Sequence, residues 1–401
     1  MSTIRPASII RPANIIRPAS VTRPASIIRP APVLDIDGLL DDPQTRVVVC
    51  CGAGGVGKTT TAAALALRAA EGGRSVVVLT IDPARRLAQS LGLRELGNSP
   101  RPVTGIDSVD EAGGELHAMM LDMRRTFDEM VQAHASPQRS AQILANPFYQ
   151  TISSSFAGTQ EYMAMEKLGQ LVGTGHWDLI LVDTPPSRSA LDFLDAPARL
   201  ASLLDGRFIK LMLAPAKGPA RIFSAGFGVV TSALNKVLGT AVLRDVQTFI
   251  AAFDTLFGGF RARAEKTYAL LQAPGTAFLV VAAPEPDALR EAAYFVERLT
   301  QEDMPIAGLV LNRVTVPSPG LEAERAQAAA ERLDDGDGDD PLVAAVLRVH
   351  AEQARRSSRE KQYARRFAGS HREVPIVAVP ALATDVHDLE GLRQIGTLMA
   401  G

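Results

Sequence analysis

The chain has 401 residues, 46% hydrophobic and 21% charged, and a formal net charge of -2, a balance that suits one large globular domain or two. A charge so near zero gives no global attraction to nucleic acid or to an anionic membrane. Two cysteines, adjacent at Cys50 and Cys51, form neither a disulfide framework nor a C-x-x-C zinc pair and read as core thiols of a reduced, cytoplasmic protein.

Residues 1–34 carry a six-residue repeat: Ile4-Arg5-Pro6-Ala7 recurs as Ile10-Arg11-Pro12-Ala13, Ile16-Arg17-Pro18-Ala19, Thr22-Arg23-Pro24-Ala25 and Ile28-Arg29-Pro30-Ala31. Proline in every repeat excludes a helix. A period of six places the arginines on one stripe in either polyproline II or extended chain. The segment is expected to be a disordered or extended tail that offers one ligand several times to an unknown protein partner or an acidic surface. An expanded repeat without function fits it equally well. The tail also lacks the apolar core of a signal peptide, and no apolar run approaches the roughly 18 residues that span a bilayer.

After a linker expected at residues 34–44, Arg46-Val47-Val48-Val49-Cys50 reads as a buried strand, and the run from Thr60 to Leu67 reads as a helix. Between them Gly52-Ala53-Gly54-Gly55-Val56-Gly57-Lys58-Thr59 fits the phosphate-binding pattern G-x-x-x-x-G-K-[ST]. Gly54, Gly55 and Gly57 permit backbone angles and close approaches that a Cβ would forbid, so successive amides, through Thr60, can face a phosphate at a helix N-terminus. Lys58 adds a point charge, and the Thr59 hydroxyl suits Mg²⁺.

Further strands are expected at residues 75–81, 115–121, 178–182, 277–283, 307–314 and 374–379, separated by helix-length segments. Such a chain is an α/β P-loop NTPase with a mostly parallel sheet flanked by helices, which binds ligands at the carboxyl ends of its strands. Two longer helical stretches, at about 123–175 and 200–273, are expected to pack together as an inserted subdomain within a domain covering 35–401. Methionines and phenylalanines concentrate there. They suit an apolar protein client, although filling the subdomain's own core is the more economical reading. The acidic loop at 334–340 lacks the turn glycine and distal Glu of a calcium loop, and the scattered histidines offer no metal pair.

Two aspartates follow apolar strands. Asp82, in Thr80-Ile81-Asp82-Pro83-Ala84, is the candidate for orienting and deprotonating an attacking water. Asp183, in Asp183-Thr184-Pro185-Pro186-Ser187, suits an outer-sphere Mg²⁺ ligand that works with Thr59. After Asn312-Arg313-Val314, Thr315 stands where guanine-specific loops carry a carboxylate, so ATP is the expected nucleotide. Pro380 and Ala381 are placed to wall the adenine.

Read together, the glycine-rich loop and the two aspartate motifs resemble the ArsA-type ATPases, the family of the arsenite-pump ATPase and of the ATPase that targets tail-anchored membrane proteins. The resemblance runs from about Arg46 to the end. It implies that Asp82 is the catalytic base, that Glu285 and Asn312 contact nucleotide, and that a homodimer opens and closes its helical subdomain with nucleotide state. Three departures stand out. Ala53 occupies the place of the lysine that this family reaches into the partner's site, so either turnover is slow or another cation such as Arg85, Arg86 or Arg188 substitutes. The zinc-binding cysteine pair of the targeting ATPase is missing. No thiols fall in the helical stretches, so arsenite is not an expected ligand.

The leading expectation is a Mg²⁺-dependent ATPase that uses ATP as a conformational switch. One rival is a positioning ATPase of the ParA and MinD kind, against which the long insertions speak. Another is a binding module in which ATP is structural and the tail carries the interaction.

Overall fold

A computed structural model describes residues 32–82, 86–107, 113–147, 149–150, 159–185, 262–316, 320–335 and 340–400. The repeat tail through residue 31, most of the second helical insertion, and Arg85 and Arg188 lie outside these residues.

Eight strands form one sheet: β1 (Val47–Cys51), β2 (Ser75–Thr80), β3 (Arg101–Pro102), β4 (Glu115–Met120), β5 (Leu179–Asp183), β6 (Thr276–Ala282), β7 (Ile306–Val314) and β8 (Ile376–Pro380). Their order is β3-β4-β2-β5-β1-β6-β7-β8. Every neighbouring pair is parallel except β3–β4, which is antiparallel. The centre is buried on both faces, which is why these strands read as unbroken apolar runs. Along β1 the residues alternate between two cores: Val47, Val49 and Cys51 face one, and Val48 and Cys50 the other.

Helix α2 (Lys58–Glu71) covers the second core together with α10 (Leu389–Ala400) and α1 (Ile36–Asp41). The first core is covered by α4 (Met123–His134), α5 (Pro137–Leu144), α6 (Thr159–Thr174), the helical residues 262–272, α7 (Pro286–Gln301) and the end of α9 (Pro341–Ser370). Two further helices complete the described set: α3 (Arg86–Ser90), after β2, and α8 (Ala323–Asp335), which packs along α9. Arg263 pairs with buried Glu166 of α6 at 3.0 Å, so the end of the second insertion is tied to the first. Met119, Met130, Met163 and Met165 are all buried in the sheet's own core. These methionines therefore fill interior volume. Met212 and the phenylalanines between 223 and 260 lie outside the described residues.

The structure corrects the expectation of a linker at 34–44. Asp35 accepts from the Gly38 amide at 2.8 Å and caps α1, whose Ile36 and Leu40 are buried one turn apart. Just before it, Ile376 of the edge strand β8 donates to the Pro32 carbonyl and accepts from the Leu34 amide, so Val33 bridges to Ile376. Arg74, leading into β2, donates to the carbonyls of Leu40, Thr45 and Asp178 at 2.6–2.7 Å and locks this N-terminal segment under the sheet. The short strand β3 was not expected either. It is two residues long and ends in Pro102, as suits an edge.

Candidate functional site

The loop between β1 and α2 lies at the carboxyl ends of the central strands, beside β5 and β6. Gly57 caps α2 with φ +97°, a left-handed angle that an L side chain resists, and a Cβ there would come within 2.2 Å of the Asn312 Nδ2. A Cβ on Gly52 would meet the Val281 carbonyl of β6 at 2.1 Å. The glycines therefore let the loop lie against its neighbours while α2 presents its first amides outward.

Lys58 is buried, and its ammonium donates to the Ala53 carbonyl at 2.8 Å. Burial draws its pKa below the usual value, and Asp183 pulls in the opposite direction. Asp183, at the end of β5, is fully buried. Its Oδ2 accepts from the Thr59 hydroxyl at 2.8 Å and from the Thr80 hydroxyl at 2.9 Å. Its Oδ1 is buried without a hydrogen-bond partner. Burial pushes the carboxyl up to about 6, against the Thr59 and Thr80 hydrogen bonds and the charge of Lys58.

This arrangement fits a hydrated magnesium ion. An orphaned carboxylate oxygen in a buried site has a hydration shell to accept from, and Thr59, whose proton goes to Asp183, keeps lone pairs for the metal. Thr59 would ligate the ion and Asp183 would hold its waters. Asp82 lies near enough to both Lys58 and Asp183 to influence their titration electrostatically, and its amide donates to the Thr80 hydroxyl at 3.2 Å.

A cavity of about 830 Å³ opens in front of these groups. Lys58, Thr59, Thr60 and Asp82 line one side, and Asn312, Pro380 and Ala381 the other. That volume is ample for a nucleotide. The structure thus gathers most of the residues singled out from the sequence around one cavity. Glu285 is elsewhere: it lines a separate cavity of about 450 Å³ behind the loop, with Ala53, Gly54, Gly55, Val56, Arg313 and Arg356.

The family described as anion-transporting ATPase, ArsA ATPase, matches residues 45–333. This chain belongs to the ArsA ATPase family. ATPase GET3 of Malassezia globosa is 26% identical over 289 residues, 72% of this chain and 78% of that one. ATPase get3 of Neurospora crassa is 22% identical over 367 residues, covering 91% and 93%. ATPase get3 of Schizosaccharomyces pombe is 24% identical over 280 residues, covering 70% and 76%.

This ArsA-type ATPase carries site residues that sequence reasoning missed. Thr80 is the second donor to Asp183, and its place as the last residue of β2, two before Asp82, was the available signal. Arg313 donates to the Gly55 carbonyl at 3.0 Å and borders both cavities. Glu360 of α9, nearly fully buried, accepts from the amide and hydroxyl of Thr315 at 2.7 and 2.9 Å and from Arg356 at 2.8 Å. Arg86, at the start of α3, is exposed and borders the larger cavity, where it is the one substitute cation named from the sequence that falls within the described residues.

Proposed function

We propose that this protein is a Mg²⁺-dependent ATP-driven switch. The loop amides and Lys58 hold the phosphates, Thr59 and Asp183 organise the ion, and Asp82 orients and deprotonates the attacking water. The observation that carries the reading is the hydrogen bond from the half-buried Thr59 to the fully buried Asp183, with the second carboxylate oxygen of Asp183 left open. Asn312, Pro380 and Ala381 face the same cavity and suit the base. Glu285 borders the neighbouring space, from which it would reach nucleotide only after a rearrangement. The resemblance to the ATPase that targets tail-anchored proteins extends the reading to a homodimer that handles an apolar protein client through residues 123–175 and 200–273. The Arg-Pro repeats, upstream of the pairing of Val33 with Ile376, are left to a separate protein partner.

ATP turnover measured with Mg²⁺ and with excess chelator tests the chemistry. Activity is expected only with the metal, with loss of binding in Lys58→Ala and retained binding but loss of turnover in Asp82→Asn. Turnover by Asp82→Asn at the native rate would remove the base from the scheme. Molecular mass in ADP, in ATP and in a transition-state mimic tests the dimer, and a monomer in all three would remove it.

A further inference from the structure

Strand β7 does not run straight into its loop. Its register against β8 shifts between Asn312 and Val314, and Arg313 is the extra residue of the bulge. Arg313 has φ +63°, and with Asp303 it is one of two non-glycine residues with positive φ among those described. For a residue with a Cβ this conformation is unfavourable and persists where the surroundings enforce it. The surroundings here are specific. The Arg313 amide donates to the Oδ1 of Asn312, the residue before it, at 3.0 Å. The Nδ2 of Asn312 donates to the Val56 carbonyl at 2.8 Å. The guanidinium of Arg313 donates to the Gly55 carbonyl at 3.0 Å. Glu360 fixes the strand beyond the bulge through the Thr315 amide.

Two consecutive side chains of β7 therefore grip two consecutive carbonyls of the phosphate loop. In a trans peptide unit the carbonyl of one residue and the amide of the next point in opposite directions. Donors that hold the Gly55 and Val56 carbonyls on one side turn the Val56 and Gly57 amides toward the other. We infer that Arg313 is a positioning residue for nucleotide binding: the bulge aims its guanidinium at the Gly55 carbonyl, and this contact, with the parallel one from Asn312, presets the loop amides for a β-phosphate. The inference rests on the reading of the loop as the ATP site. It assigns Arg313 no contact with the reacting atoms.

The test compares the wild type with Arg313→Gly, Arg313→Lys and Lys58→Ala. Glycine accepts the bulge conformation without strain, so Arg313→Gly is expected to melt no lower than the wild type, which separates binding from folding. Its affinity for ADP and for pyrophosphate should fall by about tenfold, the worth of one charge-assisted hydrogen bond. Affinity for adenosine, which has no phosphate for the amides to meet, should not change. Arg313→Lys keeps the charge without the planar fork and should recover only part of the loss. Full recovery with lysine would show that charge alone is sensed, and unchanged pyrophosphate affinity in Arg313→Gly would show that the bulge serves only packing. Either result overturns the inference while leaving the site reading intact, provided that Lys58→Ala loses ADP. If Lys58→Ala binds ADP like the wild type, the site reading itself fails.

Discussion

The ammonium of Lys58 donates to the carbonyl of Ala53 at 2.8 Å, so the loop's own lysine is folded back onto the position where family members carry a second one. Ala53 is almost fully buried, at 8% exposure, and its side of the loop borders the smaller cavity, which also holds Glu285, Asp287 and Glu291. That cavity leaves room beside Ala53 for a longer side chain to leave the loop without displacing the core.

Ala53→Lys is therefore expected to fold and to raise ATP turnover. A cation supplied to phosphoryl transfer is worth about 10³ to 10⁵ in rate in favourable cases, and a gain of tenfold or more is the expectation here. The gain should grow with protein concentration if the lysine acts across two subunits. Turnover equal to the wild type at every concentration would mean that the present active site already has its full complement of charge.

Asp183 predicts an opposition between stability and function. Its carboxyl is raised to about 6 in the metal-free protein, so folding takes up a proton. Between the ordinary carboxylate value and 6 the native state holds the proton more tightly than the unfolded chain, and stability is lost as pH rises through that window. Asp183→Asn removes the buried charge. The nucleotide-free variant should melt above the wild type at pH 8, the difference should shrink toward zero below pH 5, and Mg²⁺·ATP binding should be lost. Parallel melting curves for the two proteins across this range would contradict the raised pKa.

The two thiols should be inert in the folded protein. Both are fully buried in β1. Burial pushes Cys51 up to about 12 and raises Cys50 well above its ordinary value, where the Asp183 charge adds to the effect. The reactive thiolate is thus nearly absent at neutral pH. Mass spectrometry after iodoacetamide treatment at pH 7.5 should find no adduct on the native chain and two on the denatured one. Rapid labelling of either cysteine in native protein would show that β1 opens.

Arg74 predicts a purely structural loss. It is the shared donor for carbonyls on three segments, and without it the partly buried Leu40 and Thr45 acceptors and the exposed Asp178 acceptor lose a charged partner. Arg74→Ala is expected to cost about 2–4 kcal/mol in chemical denaturation. Arg74→Lys should recover only part of this, because an ammonium lacks the planar spread to reach all three. ADP affinity should not change in the folded variants, since Arg74 enters β2 from the end opposite the loop.

The central strands, the loop and both aspartates were legible because each signal is local: an apolar run buried on two faces, followed at once by a turn with a carboxylate. The contacts around them were not. Thr80 matters because β2 and β5 are neighbours, which places it opposite Asp183, and strand order is not written in any one segment. The Arg313 bulge is a property of β7 against β8 and leaves no mark on either strand alone. Glu360 reaches Thr315 across 45 positions of sequence. Helix α1 is a different case. Its cap at Asp35 and the spacing of Ile36 and Leu40 were visible, but six residues are too few for periodicity to stand out from a linker.

The pairing of Val33 with Ile376 sets a rule for how this protein can vary in length. The last hexad ends at Val33, where the Pro32 carbonyl accepts from the Ile376 amide and the Leu34 amide, just past the hexad, donates to the Ile376 carbonyl. Whole repeats added or removed upstream leave that pairing in place, so variants with fewer or more repeats are expected to melt at the wild-type temperature. A truncation that begins at Asp35 is different in kind. It bares backbone groups of Ile376 on the rim of an eight-stranded sheet, an invitation to edge-to-edge aggregation that a truncation beginning at residue 31 avoids.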